Sequence, residues 1–193
     1  MLPVVTHPYK FGKSNGWVGF SHCTIFNDGK GNWYYASQAR LPKSVDNAIM
    51  LGHVRSIRWT KDGWPLVMPE RYGAVPQVAI TEEELIGNWE HIDLSYSYGV
   101  QKESATMTLA ADHTITEGTW KGGTWSYDAE QQILTANGID LYLQREVDWE
   151  ASPRTPTIVY AAYGSNHKTY WGKKSKISVL SHIETALRYT NFK

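Results

Sequence analysis

Residues 16–32, GWVGFSHCTIF followed by NDGKGN, decide how this chain is read. Gly16 to Phe26 has the apolar and aromatic content of a strand, and Asn27 to Asn32 supplies glycines where a hairpin needs positive φ. Trp33 to Arg40, WYYASQAR, follows as a second strand, and Leu41 to Asn47 is a loop. Ala48 to Thr60, AIMLGHVRSIRWT, is a third strand. Lys61-Asp62-Gly63 turns the chain again into Trp64 to Met68, WPLVM. Four antiparallel strands joined by short turns make a sheet of the size of one propeller blade. Such a sheet is marginal alone, because both of its faces need neighbours.

Beyond it, Pro69 to Ala79 reads as a linker. Thr81-Glu82-Glu83-Glu84 offers a capping box for a single helical turn, with Thr81 as N-cap and Glu84 at the third position. Short strands then recur between turns: Trp89–Leu94, Ala105–Leu109, Thr114–Trp120, Gly123–Tyr127, Ile133–Ala136, Ile139–Glu146, Thr157–Tyr163, with Tyr170–Gly172 closing the set. This spacing predicts a small antiparallel barrel or sandwich. The expected organisation is all-β, with a blade and linker over 1–79, a barrel over 80–175 and a tail over 176–193. In the tail, Ile177, Leu180, Ile183 and Leu187 recur at helical spacing, so it is either a helix or a segment with no packed role.

Composition narrows the function. The chain has 193 residues, with 19 basic against 19 acidic side chains. The balance gives no electrostatic footprint for nucleic acid. Nine Trp, twelve Tyr and four Phe are compatible with sugar stacking and equally with a core. A single cysteine excludes an internal disulfide framework and a thiolate zinc site. No run of about 18 apolar residues suggests a membrane span, and MLPVVTHPYK lacks the pattern of a signal peptide. An export signal would lie outside this chain.

Several segments in order carry a resemblance. They are THPYKF (6–11), GWVGFSHCTIF, GNWYYASQARLP, LGHVRSIRWTKDGWPLVMPERYG (51–73), LIGNWEHIDL (85–94), the stretch from Gly123 to Gly164, and KTYWGKKS (168–175). Together they resemble the C-terminal part of bacterial endo-α-1,5-L-arabinanases of glycoside hydrolase family 43. The resemblance runs from about Thr6 to Ser175 and implies the last blade of a five-bladed β-propeller followed by the accessory barrel. It implies inverting hydrolysis of α-1,5-linked arabinan outside the cell, although cytoplasmic residence also fits the composition. The family's three catalytic carboxylates belong to earlier blades, so no catalytic residue is assigned to this chain. The N-terminal blades, on the same precursor or on a second chain, are the implied partner.

The resemblance also gives His22 a role. It implies a histidine on the innermost strand that lines the central channel and contributes to a calcium site in the assembled enzyme. Read from the residues alone, His22 is a buried neutral ring. Calcium takes about six to eight oxygen ligands, so a lone histidine is one ligand among others. Cys23 alternates to the opposite face and reads as a small buried hydrophobe.

The remaining candidates read as structural. Glu70 is expected to make a local ion pair, and no motif sets any two of Glu70, Glu90 and Glu146 across a cleft. His53, Arg55 and Arg58 reach either a polysaccharide or the neighbouring domain. Trp33, Tyr34 and Tyr35 alternate faces and form no single platform. Trp120 and Trp125 read as barrel core, and Asp148-Trp149-Glu150 with Arg145 and Arg154 as a charged interface loop where Arg145 grips a carboxylate. The competing reading is a non-catalytic carbohydrate-binding or interaction module, which leaves an orphan blade without a purpose.

Overall fold

The computed structural model describes residues 4–43, 46 and 49–175. The tail whose helical spacing was noted above lies outside the described residues. The blade-like segment forms β2 (Val18–Asn27), β3 (Trp33–Arg40), β4 (Leu51–Trp59) and β5 (Pro65–Val67), paired antiparallel in chain order. Its first hairpin closes as its residues dictate. Gly29 and Gly31 take φ of 72° and 95°. The Asp28 carboxylate accepts from the Lys30 and Asn32 amides at 2.8 and 3.1 Å and from the Asn32 side chain at 2.6 Å. Those bonds, the Asn32 side chain foremost, favour the ionised form and hold the Asp28 pKa below its ordinary value.

After the linker comes the short helix α1 (Glu82–Leu85), where the Thr81 amide donates to Glu84 Oε2 at 3.0 Å, as the capping-box pattern requires. The second sheet has eight strands: β6 (Gly87–Asp93), β8 (Ala105–Leu109), β9 (Ile115–Glu117), β10 (Trp125–Asp128), β11 (Ile133–Ala136), β12 (Ile139–Asp148), β13 (Thr155–Tyr163) and β14 (Thr169–Lys174). Their order is β10-β11-β12-β13-β14-β6-β8-β9. A bridge between Thr114 and Thr124 brings its two edges together, so the sheet is a nearly closed barrel.

One pairing has no counterpart in the sequence reading. β1 (Tyr9–Lys10) lies parallel to β7 (Lys102–Glu103), a short strand between β6 and β8. The segment ahead of the four-stranded sheet is thereby stitched to the barrel. Two residues per strand carry no periodicity that a sequence reading can detect.

The barrel strands facing the first sheet are buried on both sides. Along β12, Leu141 and Leu143 point inward and Tyr142 outward; along β14, Tyr170 points inward and Trp171 outward. The inner set joins Trp89, Met107, Trp120 and Trp125, which confirms Trp120 and Trp125 as core. The outer set packs with Tyr9, Phe11, Tyr35, Ile57 and Leu66 as a second core between the two sheets. Near-continuous apolar runs such as TIVYAAY follow from burial on both faces.

Inside the barrel, Tyr160 crosses over Gly172, its partner in the β13–β14 register, and its hydroxyl meets His91 Nδ1 at 2.6 Å. Burial lowers the His91 pKa to about 4, so the ring is neutral. A Cβ on Gly172 would stand 2.1 Å from the Tyr160 ring. Gly172→Ala should therefore destabilise the protein by about 1–3 kcal/mol through overpacking. Urea denaturation checks this, and an unchanged midpoint would show that Tyr160 has room to move.

Candidate functional site

His22 sits on β2, the terminal strand of the first sheet, whose second edge is unpaired among the described residues. Its φ is +45°, and the β2–β3 register shifts on either side of Ser21. A positive φ at a non-glycine residue is uncommon, and a bulge of this kind re-aims a side chain. The imidazole points out, is exposed, and meets the Gln38 side chain through Nδ1. The reading of His22 as a buried ring is thus corrected. Its neighbour Cys23 is also exposed rather than buried.

His22 supplies one nitrogen. Among the described residues, the sole group of three or more His, Cys, Asp or Glu side chains close enough to share an ion is Glu70, Asp148 and Glu150, which does not include it. A hard cation needs several oxygen ligands, so the described residues around His22 do not by themselves fit calcium.

The charged residues gather instead at the seam between the sheets. Glu70 does not pair locally. Lys173, 103 residues further along, reaches Glu70 Oε1 at 3.0 Å, Asp148 Oδ1 at 2.9 Å and Glu150 Oε2 at 3.2 Å. The Lys173 ammonium also lies 4.8 Å from the centre of the Phe11 ring. Glu150 accepts in turn from Trp17 Nε1 at 3.1 Å. Burial first, and then the Glu150 charge, raise the Glu70 pKa, and the Lys173 ammonium at 3.0 Å opposes them in favour of the ionised form. The three carboxylates hold Lys173 charged, with its pKa raised despite desolvation.

Arg55 is the second fixed point. It is completely buried, donates to Tyr9 Oη at 2.9 Å and to the Pro69 carbonyl, and stacks near the Tyr9, Phe20 and Trp171 rings. His53 beside it is desolvated and faces the Arg55 and Arg71 charges, which lower its pKa to about 3. Arg58 donates to the carbonyls of Leu143 at 2.6 Å and Gln131 at 3.1 Å. Arg58 therefore serves the join with the barrel directly and Arg55 through Trp171, while His53 packs on Trp17 and Phe20 beside Arg55. Arg145 forms the expected bidentate pair, with Glu84 at 3.0 and 2.8 Å, and also holds the Val78 and Ala79 carbonyls. It clamps the linker to the barrel rather than the barrel to the first sheet.

Glu146 has no cation. Its Oε1 accepts from the amides of Gly73 at 2.7 Å and Val147 at 3.1 Å, and its buried Oε2 has no partner. Desolvation raises its pKa to about 7. Glu90 borders a cavity of about 300 Å³ with Asp148 and Glu150, both already engaged by Lys173. Glu70, Glu90 and Glu146 thus lie along the seam. The sequence reading missed Lys173, whose signal is the consecutive Lys173 and Lys174 ending an otherwise apolar strand.

An acid whose folded pKa exceeds its unfolded value keeps a proton that the unfolded chain releases. Stability then falls as pH rises through the interval. For Glu146 that interval runs from 4.5 to about 7. Glu146→Gln, which keeps an acceptor for Gly73 and cannot titrate, should make the decline in melting temperature over this interval shallower. Parallel wild-type and variant curves would show that Glu146 does not titrate there.

Residues 69–172 match the GH43_C family, the C-terminal lipocalin-like domain. A curated relative, the extracellular endo-alpha-(1->5)-L-arabinanase 2 of Bacillus subtilis, is 23% identical over 168 residues, covering 84% of this chain and 34% of its own. Among solved structures, the glycoside hydrolase family 43 YxiA protein of Bacillus licheniformis superposes with a TM-score of 0.74 at 24% identity, over 87% of this chain and 38% of the other. The endo-1,5-alpha-L-arabinanase of Thermotoga petrophila does so with 0.75 at 18% identity, over 87% and 39%. These likenesses establish the fold, and the chain spans little more than a third of the proteins it matches. With the family match covering more than half of its residues, the chain belongs to the GH43_C family of C-terminal lipocalin-like domains.

Proposed function

We propose that this chain is the C-terminal portion of an arabinan endo-1,5-α-L-arabinosidase, acting outside the cell by inversion. It would provide the last blade of a five-bladed propeller and the accessory barrel. The observation that carries the reading is the asymmetry of the four-stranded sheet. One face is sealed against the barrel by Tyr35, Arg55 and Ile57, while Phe26 and Val54 are 42% and 40% exposed on the other face and Ile25 is 43% exposed on β2, the terminal strand. Exposed apolar surface beside an unpaired strand edge calls for a partner, and further blades of the same enzyme are the partner of that shape. The relatives share the fold and are more than twice as long, and the curated one is named an extracellular endo-arabinanase.

In this reading the general acid and general base come from the other blades, as a pair of carboxylates flanking the scissile bond. The residues of this chain act by position. Lys173 and Arg55 hold the blade at a fixed angle to the barrel, and the bulge at His22 aims its imidazole away from the sheet. His22 would contribute one ligand to a calcium ion whose oxygen ligands come from water and the remaining blades. Such an ion would place positive charge near the catalytic carboxylates and bias their ionisation.

Co-expression with the N-terminal blades of a family 43 arabinanase tests the reading. The expected result is a complex in native mass spectrometry that releases reducing ends from linear arabinan, while the chain alone releases none. Binding to arabinan without rescued activity would point instead to a non-catalytic carbohydrate-binding module. In the active complex, His22→Ala should weaken calcium retention about 10-fold or more, as losing a metal's supporting groups does, and lower turnover with the fold intact. Unchanged calcium content and rate would remove His22 from the ion site.

A further inference from the structure

Ser21 and His22 are consecutive residues of β2, and in a regular strand their side chains would point to opposite faces. Here they meet the same partner. The Gln38 amide nitrogen donates to Ser21 Oγ at 3.1 Å and also to His22 Nδ1. Ser21 Oγ and His22 Nδ1 are themselves 3.4 Å apart. Gln38 is the register partner of Ser21 on β3. Tyr35 and Ala39 of that strand are buried in the core between the sheets, so Gln38 lies on the face turned away from the barrel.

The backbone makes this meeting possible. The β2–β3 register shifts before and after Ser21, and His22 takes a φ of +45°. A positive φ at a residue other than glycine persists where its surroundings over-determine it, and such outliers gather at working sites. The visible result of this one is that the His22 ring turns onto Gln38 through Nδ1. Its second nitrogen, Nε2, has no partner among the described residues, and the ring is exposed.

What Gln38 presents decides what His22 can offer. A neutral imidazole carries one N–H and one lone pair. With an amide N–H aimed at Nδ1, that nitrogen is the acceptor and the ring proton resides on Nε2. The outward nitrogen is then a hydrogen-bond donor and has no lone pair for a cation. Turning the Gln38 amide over reverses the assignment: the amide oxygen accepts from Nδ1–H, and Nε2 presents a lone pair. Ser21 suits either orientation, because a hydroxyl both donates and accepts. Histidines that hold metals are as a rule fixed in this way through their other ring nitrogen.

We infer that Gln38 is a positioning residue for His22: it makes Nε2 the outward nitrogen, and the orientation of its amide decides whether that nitrogen donates a hydrogen bond or ligates a cation. The ligand half of this assignment rests on the calcium role proposed above. The donor half rests on the geometry of this chain alone.

Nitrogen-15 NMR of the imidazoles in the full chain reads the tautomer directly. It is recorded at about pH 9, where imidazoles are neutral, and His22→Ala identifies the signal. The wild type is expected to hold the proton on Nε2. Gln38→Glu keeps the shape but can only accept, so it should move the proton to Nδ1 in the major form. Gln38→Met removes both bonds and should leave the mixture that a histidine shows in a short peptide. Gln38 is partly exposed and outside both cores, so its variants are expected to fold. The same tautomer in all three proteins overturns the assignment. In the co-expressed complex, Gln38→Met should lower calcium retention about 10-fold, and unchanged retention overturns the ligand half. If no complex forms, the function proposed above fails, while the spectra of the chain alone still decide whether Gln38 sets the tautomer.

Discussion

The relation of the two sheets depends on one buried ammonium. Lys173 is 4% exposed at its side chain and draws a carboxylate from the linker, Glu70, and two from the end of β12, Asp148 and Glu150. Removing these charges from water costs several kcal/mol for each ion, and their attraction repays this when the geometry is close. Such a cluster is therefore weak evidence for stability. Its use here is geometric. Four side chains from three segments meet at one point, so the linker leaves the first sheet along one path. Arg55 repeats the arrangement from the other side by holding the Pro69 carbonyl and Tyr9.

Around these charges the seam is aromatic. Tyr9 and Trp171 meet edge to face at 5.0 Å, Trp171 donates to the Val67 carbonyl at 2.7 Å, and Trp64 stacks on Tyr163 at 4.9 Å. The apolar core between the sheets is continuous with that of the blade, so the blade and barrel behave as one body on this side. On the opposite side the sheet ends in an exposed strand with a bulge. A protein this well sealed at one face and open at the other has the form of a piece that completes a larger assembly. Its wealth of aromatics divides accordingly between the barrel core and the seam.

His22 owes its proposed role to the resemblance of its segment to the arabinanases, and the structure adds a positive φ, a register shift on either side of Ser21 and the outward aim of the ring.

The sequence alone determined the strands of both sheets, the turns between them and the helix cap, because period-two patterning, turn glycines and the Thr81–Glu84 spacing are local signals. It also marked Trp120 and Trp125 as core and Arg145 as a carboxylate partner. Only the tertiary structure decided that Glu70 pairs with Lys173 rather than with Arg71 beside it, since an ion pair across 103 residues leaves no local trace. It alone showed the β1–β7 pairing and the exposure of Cys23. Each arises where segments distant in sequence meet, or fail to meet, and burial is a property of the neighbours rather than of the residue.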